Sequence, residues 1–287
     1  MKAIISDYYS MTKPRLALLN IVAATSGILM SRVLVDSSYA FLSVVFISLL
    51  ISGAGALNCV MEVEGDKLME RTMNRPLPSG RISVLGASIF GILLVLIGLL
   101  GLYLKVNALT FWLGILSVVS YVFMYTPMKR KSHLAVYVGA IPGALPPVLG
   151  YTSVTNNLDL MGITLFLILF FWQISHFLAI SIYQSKDYAK GKIFVYPNIK
   201  GIDHTRIVMI LFAALTCVAG IFPYFIGYSN SIFLIIGLLL GLGFLYINSK
   251  NIKNLINDVG EINHWAKKCF FASIIYLPLL FGFMIIF

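Results

Sequence analysis

Charge is what this chain has least of. Asp, Glu, Lys and Arg together make up 11% of its 287 residues, with 11 acids against 21 bases. A soluble globular domain carries about a quarter charged residues. With 59% hydrophobic residues and a mean hydropathy of +0.92, the composition excludes an ordinary soluble enzyme and leaves a polytopic membrane protein. Cysteine is scarce as well. Cys59, Cys217 and Cys269 are scattered and show no CxxC spacing, so neither a disulfide framework nor a metal knuckle is indicated. The net charge of +10 does not mark a nucleic-acid binder, because the bases are interleaved with apolar runs and have a simpler reading in topology. Neither a small-residue cleavage site nor an Arg- and Ser-rich transit segment precedes the first apolar run, which therefore reads as a retained span.

The apolar runs predict nine transmembrane helices over roughly 16–34, 39–61, 82–104, 107–126, 133–151, 158–183, 205–226, 229–248 and 268–287. Residues 1–287 thus read as one all-α domain in the lipid bilayer. The N-terminus and the 62–81, 127–132, 184–204 and 249–267 loops hold nearly all the Lys and Arg; Arg32 and Lys105 fall on the opposite side. The positive-inside rule puts the N-terminus in the cytoplasm, and function is expected on that face. Basic loops alone are ordinary for a membrane protein. Acids placed among them are not.

Those acids have a pattern. Asn58, Glu62 and Asp66 are spaced four apart at the end of the second run. On a helix each such step turns about 400°, so the three fall on one stripe, roughly 6 Å apart along the axis. Three oxygen-bearing side chains suit a hard cation such as Mg²⁺. Arg71 and Arg75 follow at once and suit a phosphate. Pro76 and Pro78 end the helix and permit a loop that folds back over the stripe. The bland alternative is a solvated helix end of mixed charge.

Three further constellations stand out. Lys129, Arg130 and Lys131 follow Tyr125-Thr126-Pro127 at a helix end; they either neutralise a diphosphate or anchor the helix to anionic lipid. Pro142, Pro146 and Pro147, with Gly143 and Gly150, predict a broken helix lining a cavity, against the alternative of small-residue packing. Trp172, Gln173 and His176 lie within one span, and Lys186-Asp187-Tyr188 comes just past it. A lone histidine on an apolar helix is more often a satisfied core group than a ligand, but an ionisable group within the membrane is also a functional candidate.

Taken in order, these motifs resemble the intramembrane aromatic prenyltransferase superfamily. Met69-Glu70-Arg71-Thr72-Met73-Asn74-Arg75-Pro76-Leu77, the Tyr125-Thr126 to Lys129-Arg130 loop, Gly143-Ala144-Leu145-Pro146-Pro147-Val148-Leu149-Gly150, Trp172-Gln173-x-x-His176 and Lys186-Asp187-Tyr188 resemble its protohaem IX farnesyltransferase branch, the haem O synthases. The resemblance is close over about residues 10–210 and extends to the last two helices by hydropathy. It implies a helical bundle around a central cavity open to the cytoplasmic side of a prokaryotic cell membrane. It implies farnesyl diphosphate and haem B as substrates, and a downstream haem-modifying enzyme as a further partner. Mg²⁺ held by Asn58, Glu62, Asp66 and Asp187 is the implied cofactor. Arg71, Arg75, Lys129, Arg130 and Lys186 are implied diphosphate contacts, and Trp172, Gln173, His176 and Tyr188 implied contacts for haem or prenyl chain. The chain departs from the family pattern in three places. Glu62 stands where Asp is usual, Gly191 follows Asp187 where the wider superfamily repeats an Asp, and Gly191-Lys192 replaces a pair of small residues.

Two other classes compete. A sibling prenyltransferase acting on a quinone precursor or lipid alcohol lacks the Trp-Gln-x-x-His and Gly-Ala-x-Pro-Pro signatures. A secondary transporter predicts charges at mid-membrane and a two-fold repeat; here the acids lie at one face, and the 58–77 pattern has no clear repeat.

Overall fold

The computed structural model describes residues 2–250 and 259–287, so part of the basic 249–267 loop lies outside the described residues. Every regular element among the described residues is helical. In chain order these are α1 Lys2–Met11, α2 Pro14–Met30, α3 Ser37–Asp66, α4 Val84–Gly101, α5 Ala108–Val118, α6 Thr126–Met128, α7 Ala135–Thr155, α8 Leu160–Tyr183, α9 Ser185–Lys190, α10 Tyr196–Lys200, α11 Ile202–Phe225, α12 Ser231–Ser249 and α13 Val259–Ile286. Two π-helical segments, Leu102–Val106 and Val119–Tyr125, extend α4 and α5.

Seven helices among the described residues are long and apolar enough to cross a bilayer, against nine predicted from the runs. The other two predicted spans correspond to α2 and α7. α2 has 17 residues, ending at Met30 rather than near 34. α7 has 21, but Pro, Gly and Thr dilute its hydropathy. The 30 residues of α3 carry it on through Asp66, past the predicted end at 61. At 1.5 Å per residue that is about 45 Å, longer than a hydrocarbon core of about 30 Å. The stripe therefore sits on unbroken helix at the edge of the apolar region.

α7 is the hub, packing against α2, α3, α5 and α8, while α13 returns to α2. Here the structure corrects the sequence reading. α7 is a continuous helix through Pro142, Pro146 and Pro147, not a broken one. Its small residues serve close approach instead. A Cβ on Gly150 would lie 1.8 Å from the Ala24 carbonyl oxygen, and one on Gly27 would lie 1.9 Å from that of Pro147. Two backbones meet there with no room for a methyl group, the packing that small residues permit between membrane helices. The open carbonyl end of α7 is closed by side chains. Asn107 Nδ2 donates to the oxygens of Thr152 (2.9 Å) and Ser153 (3.1 Å), and Tyr39 Oη donates to Ser153 O at 2.8 Å. Asn156 then ends the helix at φ 49°, in the left-handed region that stops helices.

Gly150→Ala is expected to lower thermal stability in detergent by about 1–3 kcal/mol, the usual range for overpacking. Gly243→Ala, where an added Cβ meets nothing within 4 Å, serves as the control and is expected to leave the melting temperature unchanged or raised. Equal melting temperatures for the two variants would show that α2 and α7 can part at no cost.

Candidate active site

α3 turns Asn58, Glu62 and Asp66 inward as predicted; they are 1%, 6% and 3% exposed. Buried charge must be compensated, and each carboxylate of this region meets a cation from another segment. Lys129, at the end of α6, pairs with Glu62 Oε1. Arg75, from the loop after α3, meets Asp66 Oδ2 at 3.0 Å. Arg71 meets Asp187 Oδ2 at 2.8 Å, with its guanidinium 5.0 Å over the ring of Tyr188.

The 67–82 loop folds back because its ends are tied down. Thr72 Oγ1 donates to Asp66 O at 2.8 Å, while Leu77 and Ile82 bury against Met11, Ala56 and Ala87. The loop after α8 is drawn onto it. Gly191 lies against Met69, where a Cβ would be 2.7 Å from Sδ, so the departure at Gly191 is a packing requirement. Phe194 N donates to Lys129 O at 3.0 Å, closing the third side. Burial holds the Lys129 ammonium's pKa below its ordinary value, against the upward pull of Glu62.

Of the predicted residues, Asn58, Glu62 and Lys129 form one contact group, Asp66 and Arg75 a second, and Arg71, Asp187 and Tyr188 a third. Other predicted residues sit elsewhere. Lys186 is exposed. Arg130 spends its guanidinium on α3 itself, donating to Glu62 O at 3.1 Å and lying where a Cβ on Gly65 would be 2.2 Å from its Nη2. Gln173 is buried and donates to Ala140 O of α7 at 2.7 Å. Trp172 and His176 face α13 instead. Trp172 Nε1 donates to Ser273 O at 2.8 Å, and His176 Nδ1 is 2.7 Å from Ser273 Oγ, with its ring between those of Trp172 (4.8 Å) and Phe270 (4.9 Å). α8 therefore presents Gln173 and His176 to two different neighbours, α7 and α13.

Sequence reasoning missed Lys13, Tyr121 and Thr126. Lys13 stands between α1 and α2 at φ 52° and donates to Asn58 Oδ1, with its Nζ 3.4 Å from Tyr121 Oη. The available signal was a Lys-Pro pair opening the first span, which topology alone seemed to explain. Thr126 Oγ1 accepts from Asn58 Nδ2 at 2.8 Å. The π-helical segment that carries Tyr121 and ends at Tyr125 supplies this corner, a common use of such segments.

A cavity of about 680 Å³ opens beside the stripe rather than over it. It is lined by Glu64, Gly65, Leu68, Arg130 and the 189–199 segment, and includes none of the stripe residues. No group of three or more acidic, His or Cys side chains among the described residues is arranged to hold a metal ion alone. Mg²⁺, however, usually takes one or two carboxylates and completes its shell with water and phosphate oxygens. Asp187 Oδ2 suits that need. It is buried and accepts no hydrogen bond, its partner being the off-geometry ion pair with Arg71. Asp66 at the end of α3 and Asp187 in α9, each paired with one guanidinium group, are carboxylates of the kind such an ion takes.

Comparison with known proteins gives the family and the fold. The model of the UbiA prenyltransferase family matches residues 19–283. A protein named "Protoheme IX farnesyltransferase" from Myxococcus xanthus is 36% identical over 282 residues, covering 98% of this chain and 94% of its own. One of the same name from Sorangium cellulosum is 40% identical over 238 residues, covering 83% of each chain. In fold, the chain matches a solved digeranylgeranylglyceryl phosphate synthase with a TM-score of 0.80 at 15% identity, covering 98% of this chain and 97% of that one. It matches a UbiA homologue from Archaeoglobus fulgidus, bound to GPP and Mg²⁺, with a TM-score of 0.71 at 13% identity, covering 95% and 99%.

The Glu62–Lys129 pair yields a direct test. Lys129→Met leaves a buried carboxylate unpaired and is expected to destabilise the protein by about 3–5 kcal/mol. Adding Glu62→Gln should restore a good part of that loss, so the two changes should be strongly non-additive in denaturation measurements. Simple additivity would mean the two groups do not interact.

Proposed function

This chain belongs to the UbiA prenyltransferase family, and we infer from its site that it transfers the farnesyl group of farnesyl diphosphate to a vinyl group of protohaem IX (haem B), giving haem O. The observation that carries this reading is the ring of cations around buried carboxylates at one end of a membrane helix. An allylic diphosphate needs such a place, because its bond to C1 breaks as negative charge gathers on the leaving group.

Asp66 and Asp187, with Glu62 alongside, would hold Mg²⁺, which when bound would supply a Lewis acid for that developing charge. Arg71 and Arg75 grip the diphosphate oxygens as planar two-pronged donors. Both are well exposed and already poised over Asp66 and Asp187, so they can turn from carboxylate to phosphate without moving the backbone. Lys129 stays on Glu62 and keeps that carboxylate in place. The farnesyl tail extends into the apolar interior, where aromatic rings shield the allylic cation from water until the vinyl group attacks. Water then quenches the product cation.

The finer architecture follows the same reading. α2 and α7 cross the bilayer with the other seven apolar helices, making nine spans around a central cavity open to the basic face. That face is cytoplasmic, with the N-terminus, in a prokaryotic cell membrane. Haem approaches from the bilayer at the α8–α13 seam. With the Ser273 hydroxyl proton on Phe270 O at 2.5 Å, we assign the proton of the His176–Ser273 contact to Nδ1. That tautomer leaves Nε2 deprotonated, the state in which imidazole binds iron. Trp172 stacks on the ring and holds it. Tyr188, under Arg71, borders the diphosphate end. A downstream haem-modifying enzyme would take the product.

Expression in cells lacking their own haem O synthase, followed by haem extraction and mass analysis, is expected to show haem O. Its absence would reject the assignment. Asp66→Ala should abolish product while the protein still accumulates in the membrane; near-normal haem O would remove Asp66 from the metal site. Arg75→Lys should raise the apparent KM for farnesyl diphosphate about tenfold despite keeping the charge, because an ammonium cannot grip in two places. His176→Ala should weaken haem binding in spectroscopic titration and leave binding of a farnesyl diphosphate analogue intact. Loss of both together, with a lowered melting temperature, would make His176 a packing residue only.

A further inference from the structure

Four side chains meet at the inner end of the stripe, and their protons can be placed. Thr126 Oγ1 donates to Tyr121 O at 2.8 Å, so toward Asn58 it can only accept. Asn58 Nδ2 donates one proton to that oxygen at 2.8 Å and the other to Glu62 Oε1 at 2.6 Å. Asn58 Oδ1 accepts from the ammonium of Lys13. Turning the amide over would set its oxygen against a carboxylate and an acceptor hydroxyl, and its NH₂ against an ammonium. All three contacts would fail at once, in a residue that is 1% exposed.

Lys13 is itself held in place. It occupies the left-handed region at φ 52°, a conformation unfavourable to a residue with a Cβ, at the corner between α1 and α2. Pro14 opens α2 directly after it. The corner abuts α3 on either side of Asn58. The Thr12 carbonyl oxygen lies 3.4 Å from where a Cβ on Gly55 would be, and Cys59 Sγ contacts Met11 O at 3.7 Å. This packing brings the backbone close to α3 and aims the lysine at the amide.

We propose that Lys13 is a positioning residue that acts through Asn58. Its ammonium sits on the one acceptor atom of the amide, where its charge repels a second cation, so Asn58 serves as a donor clamp on Glu62 rather than as a metal ligand. This rests on the prenyltransferase reading and narrows its metal set to the carboxylates. The stripe then has two functions along its length. Its inner end orients Glu62 by hydrogen bonds, and its outer end at Asp66 meets the ion. Lys13 keeps its neutral partner whether or not substrate is bound.

The test is Mg²⁺-dependent binding of a non-hydrolysable farnesyl diphosphate analogue to the full-length protein in detergent. Lys13→Met, Asn58→Ala and the double variant would be titrated, with melting temperature measured alongside. Each single change is expected to raise the Mg²⁺ midpoint about tenfold, as loss of a partner behind a metal ligand commonly does. The double variant should be no worse than the poorer single one, because both break the same chain of bonds. Multiplied effects would show that Lys13 acts on the ligand directly and would overturn the proposal. Asn58→Asp decides the matter even if Lys13→Met fails to fold. A carboxylate is the better Mg²⁺ ligand but cannot donate to Glu62. The proposal therefore expects a raised midpoint, whereas an unchanged or lowered one would make position 58 a metal ligand and reject the clamp. Failure of the wild-type protein to bind the analogue with Mg²⁺ would instead count against the prenyltransferase reading itself.

Discussion

The structure turns on a need to neutralise buried carboxylates at the edge of an apolar slab. Glu62 and Asp66 are almost wholly enclosed, and uncompensated charge there would be prohibitively costly. Their cations cannot come from α3 itself. Lys129 arrives from the end of α6 and Arg75 from the returning loop, while Arg71 reaches across to Asp187 beyond α8. Satisfying these acids is therefore what gathers three otherwise independent loops onto one face. The site and the fold of that face are a single electrostatic solution.

This arrangement also suits a reaction that moves negative charge. In the resting protein each acid holds a base. On the proposed reading, an arriving diphosphate and its ion would let the arginines change partners while the ion took the carboxylates. The charges are rearranged rather than newly buried, so binding does not bring an unpaired charge into the apolar interior. Lys129 and Lys13 do not take part in that exchange. They sit deeper, on Glu62 and Asn58, and fix the part of the stripe that must not move.

α7 gives the frame its rigidity by a different means. Three prolines remove backbone donors from it, which would be costly for a helix exposed to lipid. Here the helix lies at the centre of the bundle rather than against lipid, and the backbone of α2 approaches it at Gly27 and Gly150. Pro147 and Gly150, among the residues that suggested a cavity, lie instead at a close backbone contact with α2. Sequence could not separate these readings, because both use small residues and irregular donors. What differs is the neighbour across the interface.

The sequence by itself determined the membrane class, the helical content and the stripe. Spacing along one helix is local, and the four-residue interval places Asn58, Glu62 and Asp66 on one face whatever surrounds them. Arg75 was legible for the same reason, lying nine residues from Asp66, whereas the partner of Arg71, Asp187, comes from beyond α8. Tertiary structure decided the rest. Only packing shows that Lys13 reaches Asn58 across 45 residues, that Arg130 serves α3, and that Gln173 and His176 face different helices. A polar side chain takes its role from the partner that satisfies it. When that partner lies on another helix, no local pattern carries the information.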